Sequence, residues 1–179
     1  MAIRELVELA ARIAELERRF SGMMRHGTVA EVDNEAQRIR LDFGPAHGTS
    51  GRFLSPWIPY AQFSGALRVH TPPSVGQQFT AMSPNGDFQQ AVAVPLTHSS
   101  GNPSASTAAD QNVLRFGDVT LTLAEDSLEI AVAGVRFKVD GANLEITGGQ
   151  VRHNGKNIGD SHIHSGVRSG PSSTGTPAN

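Results

Sequence analysis

The residue types best suited to chemistry stand near the C-terminal end. His162 and His164 flank Ile163 in the run Gly159-Asp160-Ser161-His162-Ile163-His164-Ser165-Gly166. In an extended strand, residues i and i+2 project to the same face, so both imidazoles can aim at one point while Ile163 turns away. Imidazole nitrogen is a ligand for several transition metals, but two such ligands leave a coordination shell unfinished. Three copies of the pair would supply six nitrogens. That octahedral set fits ferrous iron, nickel or cobalt better than tetrahedral zinc. A shell with no open position is structural, because catalysis needs a vacant place for water or substrate. Asp160, Ser161 and Ser165 are candidates to hold the second nitrogen of each ring, and backbone carbonyls are equal candidates.

Two blander readings compete with this one. His-x-His also occurs as a pair of surface histidines. Asp160, His162 and His164 could also form a two-His, one-carboxylate oxygenase site, but all three would then come from a single strand with no pocket pattern around them. His153 lies well upstream and reads as part of the preceding segment, not as a ligand. Elsewhere there is no Gly-x-Ser-x-Gly, no phosphate loop and no paired catalytic carboxylates. The chain has no cysteine, which excludes disulfides, thiolate zinc sites and a Cys nucleophile. It reads as a protein that is not an enzyme.

What must position the histidines is the segment before them. From Val113, short apolar alternations recur: Val119, Leu121, Leu123; then Leu128, Ile130, Val132; then Val135, Phe137, Val139; then Leu144, Ile146. Turn-like residues separate them, and the period is about nine residues, the mark of a quasi-linear β structure. Residues 113–150 fall below the ~40 residues at which a lone core becomes hard to sustain. A single meander would leave its apolar face wet and its strand edges unpaired. Three copies wound about a common axis would remove both problems, and would turn two imidazoles into six. Packing against the preceding domain in a monomer is the alternative, weakened by the long polar connection.

Upstream, residues 23–97 read as a compact β-rich domain. "HGTVAEVD" and "QRIRLDF" make a hairpin around Asp33-Asn34-Glu35-Ala36, and two later strands meet across Pro84-Asn85-Gly86-Asp87. About five short strands suit a small barrel of the OB kind. Its arginines at 25, 38, 40, 52 and 68 are matched by Glu31, Asp33, Glu35, Asp42 and Asp87. With a whole-chain charge of −2, that is poor footing for phosphate contacts, so no nucleic-acid partner is expected. Residues 98–112, rich in Ser, Ala and Asn, read as a linker. Residues 1–22 read as a helix with a seam of Leu6, Leu9, Ile13, Leu16 and Phe20: either a short coiled coil or a lone amphipathic helix on its own domain. The same region lacks the unbroken apolar core of a signal peptide, and no stretch approaches the ~20 apolar residues that cross a bilayer. The expected fold class is therefore mainly β: a short N-terminal helix, an OB-like barrel, an intertwined trimeric β-helix or β-prism over residues 113–152, and an apex over residues 153–179.

At "GKNIGDSHIHSGVRSGPSSTG" the sequence resembles the end of the baseplate assembly protein V family, the central spikes of contractile phage tails and of R-type pyocins. The specific part is the apex, namely Gly159, Asp160, His162, His164, Ser165 and Gly166, with Ser161 where members often carry Thr. The resemblance covers most of the chain in order: helix, OB-like domain, stalk, apex. It implies a homotrimer that docks on the baseplate hub through the OB-like domain and ends in a tapered needle. It also implies one iron (Fe2+) per trimer, octahedral, held by His162 and His164 of three chains, and a polar tail folded back to cap the tip. The expected role is mechanical, piercing the outer membrane of a target bacterium. The expected location is the baseplate tip of a virion or pyocin particle, assembled in the bacterial cytoplasm without a signal peptide. One rival is a trimeric receptor-binding fibre tip, which would carry an aromatic-rich head where this chain narrows to Gly, Ser and Pro. A second is an OB-fold nucleic-acid binder.

Overall fold

A computed structural model describes residues 2–45, 51–163, 165, 166 and 170. It divides into two compact units, Met1–Ser104 and Ala105–Asn179.

The first unit opens with α1 (Ala2–Met23). Its outer surface is laced by ion pairs, Arg4–Glu8 at 3.4 Å, Arg18–Glu15 at 2.8 Å and Arg19–Glu15 at 2.6 Å. Hydrogen bonds from Arg18 and then Arg19 hold the Glu15 carboxyl down at about 2. The helix ends where Gly22 and the backbone of Arg19 meet Gly86, whose φ is +74°. A side-chain carbon on Gly86 would lie 2.7 Å from the Arg19 carbonyl oxygen, so glycine is required there both for the backbone angle and for the close approach.

The strands that follow are β1 (Met24–Asp33), β2 (Arg38–Pro45), β3 (Arg52–Leu54), β4 (Ile58–Pro59), β5 (Gln78–Met82) and β6 (Val92–Pro95). Their order across the sheet is β3-β2-β1-β5-β6, and β4 also pairs with β2. Tyr60, directly after β4, bridges to Ala93 of β6, and the Ala61 N–H donates to the Ala93 carbonyl at 2.8 Å. That bridge closes the sheet on itself. The result is the small barrel expected from the strand pattern, with mainly β structure behind one N-terminal helix.

The hairpin at 33–36 forms as the turn residues dictate. The Asp33 carboxylate accepts the Ala36 N–H at 2.9 Å, and Gln37 takes a left-handed φ of 56°. Alternation in β2 sends Ile39 and Leu41 inward, where they are fully buried with Val29, Ile58 and Phe79. Ala81 and Ala93 are the small inward residues of β5 and β6. An irregularity between Val29 and Glu31 bends β1, as a bulge does in a closed sheet. Ser55 completes the barrel wall where β3 ends. Its hydroxyl accepts the Leu41 N–H at 2.8 Å and donates to the Pro56 carbonyl at 2.7 Å. The Pro84–Asp87 turn is present too, within two short 3-10 turns over Pro84–Gly86 and Phe88–Gln90.

The second unit is an antiparallel meander of β7 (Gln111–Phe116), β8 (Val119–Ala124), β9 (Ser127–Val132), β10 (Val135–Asp140) and β11 (Asn143–Thr147). Neighbours in sequence are neighbours in the sheet. The register aligns the apolar residues into continuous rows. Leu114, Leu121, Ile130, Phe137 and Ile146 form one, and Leu123, Leu128, Val139 and Leu144 another. The opposite face carries Arg115 beside Thr120, then Thr122, Glu129, Lys138 and Glu145. One face is thus almost wholly apolar and the other mainly polar, with Val113 and Ala131 its apolar members. In the single chain the apolar face is open: Leu114 is 68% exposed, Phe116 89% and Leu144 61%. Every buried apolar residue of the described part lies between Val29 and Ala93, in the barrel.

Candidate metal centre

Beyond β11 the chain forms a last small hairpin, β12 (Arg152–His153) and β13 (Lys156–Asn157). Its two-residue turn is Asn154-Gly155, with φ of 47° and 80°, the pair of left-handed angles that the Asn-Gly dipeptide favours in tight hairpins. His153 lies across from Lys156 in this hairpin.

The loop after β13 is organised around one side chain. The Asn157 carboxamide oxygen accepts the Gly159 N–H at 2.9 Å, and its nitrogen donates to the Ser161 hydroxyl at 2.9 Å. The Ile158 N–H donates to the Val151 carbonyl at 2.8 Å, tying the loop to the chain entering the hairpin. Gly159 then turns its carbonyl toward His162, accepting both the backbone N–H at 3.1 Å and the ring Nδ1–H. A carbonyl can only accept, so Nδ1 carries a proton. In the neutral ring the lone pair then belongs to Nε2, the ligating form. A side-chain carbon on Gly159 would lie 3.3 Å from the Asn157 oxygen, which makes this a tight glycine position as well.

His162 and Ile163 belong to no strand, and Ile163 is 91% exposed. His164 and most of the tail after Gly166 lie outside the described residues, so the pairing of the two imidazoles and the fold-back of the tail do too. Among the described residues no group of three or more His, Cys, Asp or Glu gathers within the chain. Of the candidates for orienting His162, Ser161 is engaged by Asn157, while the Gly159 carbonyl holds Nδ1. Backbone carbonyls were among the expected partners, and the Gly159 carbonyl is one; Asn157 escaped the sequence reading as a positioning group. The only available signal was its one-residue spacing from Gly159 at the exit of a hairpin.

Residues 25–98 match the type VI secretion system/phage-baseplate injector OB domain. Residues 160–178, which begin at Asp160 and contain both histidines, match the GpV apex motif. One sequence thus carries an injector OB domain of the phage-baseplate kind and, at its far end, a GpV apex motif. It is also 29% identical over 128 residues to the spike protein of Escherichia phage P2, an alignment that covers 70% of this chain and 57% of that relative. The injector match coincides with the closed barrel, running from the start of β1 to just beyond β6. No described helix of this chain is long and apolar enough to cross a membrane.

Proposed function

We propose that three copies of this chain form the central spike of a contractile particle, a phage tail or an R-type pyocin. The OB domain seats on the baseplate hub, and the needle built from β7–β11 breaches the outer membrane of the target cell. The observation that carries the reading is the apolar face of the meander, which a single chain leaves open. Fully burying a Val, Leu, Ile or Phe is worth roughly 1.5–3 kcal/mol, and this face offers several rows of them. Sister copies cover it without any other partner. Each also offers a neighbour for the free edges of β7 and β11.

At the tip, His162, through Nε2, and His164 of three chains would hold one iron ion. Such an ion would tie three chain ends together where Gly, Ser and Pro leave little to pack. Its role is mechanical. Two independent measurements test this. Light scattering gives three times the 19.0 kDa of one chain. Elemental analysis gives one iron for three chains. A mass of one subunit removes the needle, and one metal per chain removes the shared site.

The loop geometry adds a finer expectation. Asn157→Ala frees Gly159 and Ser161 and loosens the carbonyl that holds the His162 ring. Loss of such an orienting contact typically weakens metal binding ~10–100-fold. Chelator competition reads this directly, with the mass unchanged. Unaltered affinity would show that Asn157 positions nothing.

A further inference from the structure

The helix α1 carries an interaction surface of its own. Leu6, Leu9, Ile13, Leu16 and Phe20 form a stripe at alternating spacings of three and four, and Leu6 is 63% exposed, Leu16 64% and Phe20 78%. The barrel does not cover it, because the close approach between the two runs through Gly86 against Gly22 and the Arg19 backbone. A helix with one long apolar stripe left in water is missing a partner.

The charges beside the stripe say which partner. With Leu6, Ile13 and Phe20 in the first core position of each heptad and Leu9 and Leu16 in the second, Arg12 and Glu17 fall on the two flanking positions. Ion pairs within the chain engage Arg4, Glu8, Glu15, Arg18 and Arg19. Among the described residues, Arg12 and Glu17 enter no ion pair of their own chain. In a parallel coiled coil the residue flanking one side of a core layer faces the opposite flank of the neighbouring helix, about five positions further on. Arg12 and Glu17 stand in that relation, with opposite charge.

We propose that α1 packs in parallel and in register against the α1 helices of sister copies, with Arg12 of each facing Glu17 of the next. The pairing deepens the three-copy reading and rests on it, since helices related by a threefold axis run parallel. The chain thereby carries a second association element, separate from the β7–β11 face. A partner helix from another protein would need the same apolar stripe, but nothing would place its charges to match Arg12 and Glu17.

The absence of cysteine makes the test clean. Leu9→Cys places a thiol in the seam, and Ala11→Cys places one on the outer surface of the same helix. Under mild oxidation the intact Leu9→Cys protein should yield a disulfide-linked pair of chains in each trimer, while Ala11→Cys should not. Arg12→Glu added to Leu9→Cys should lower the yield, and Glu17→Arg added to both should restore it. A trimeric mass with no cross-link through residue 9, or equal cross-linking through residue 11, overturns the helix pairing and leaves the needle standing. A mass of one subunit overturns both.

Discussion

Changing Ile130 to Asp reduces the mass of the protein in solution from three subunits to one, or prevents it from assembling at all. Ile130 stands in the middle of the row that runs Leu114, Leu121, Ile130, Phe137, Ile146, on the central strand of the meander. In one chain it is 40% exposed, so the monomer tolerates a carboxylate there. In a trimer wound about this face the same carboxylate enters the apolar axis three times over. An unpaired ion moved from water to a dry interior costs several kcal/mol even after relaxation, and three like charges around one axis also repel. Assembly driven by side chains worth roughly 1.5–3 kcal/mol each does not survive that. The neighbouring Glu129→Ala, on the polar face, leaves the mass at three subunits. It removes a contact to Arg136 at 3.6 Å, a partly exposed pair of the kind that contributes little. If Ile130→Asp stays trimeric, the assembly does not bury this face.

The second large effect is at the tip. His162→Ala combined with His164→Ala takes the metal content from one iron per trimer to none, while the mass remains three subunits. The division of labour follows from where the apolar area lies. Several rows of Val, Leu, Ile and Phe lie open along the meander, whereas among the described residues of the apex the large apolar side chains are the exposed Ile158 and Ile163. A variant that became monomeric would mean that the ion drives assembly rather than finishing it. Acid gives the same loss reversibly. Imidazole ligates only in its neutral form, so protons compete with the metal and occupancy falls as the solution is acidified. Full occupancy retained in strong acid would count against this site.

Both effects depend on a face and a pair of residues that local pattern alone brings to notice. The meander was legible because a strand has a period of two and its turns draw on a few residue types. Alternation from Val119 to Ile146 therefore marks both the strands and the side each residue takes. The hairpin at Asp33–Ala36 and the helical seam from Leu6 to Phe20 were readable for the same reason. The edges of these elements were less so. β7 begins at Gln111, inside the stretch read as a linker, because a polar residue at a strand end has no periodic signature.

What the sequence determined by itself, then, is what a regular period or a turn signature marks: the helix, the Asp33–Ala36 hairpin, the two-faced meander and the His-x-His spacing. Only the tertiary structure decided how the barrel closes, through Tyr60 against Ala93, and why Gly86 must be glycine, with the Arg19 backbone against it. It also decided that Ser55 satisfies the Leu41 N–H and that Asn157 and Gly159 set the ring of His162. The physical reason is common to all of these. Most join residues far apart in the chain, and the apex loop is fixed by irregular backbone turns, so no spacing or period announces them until the backbone has folded.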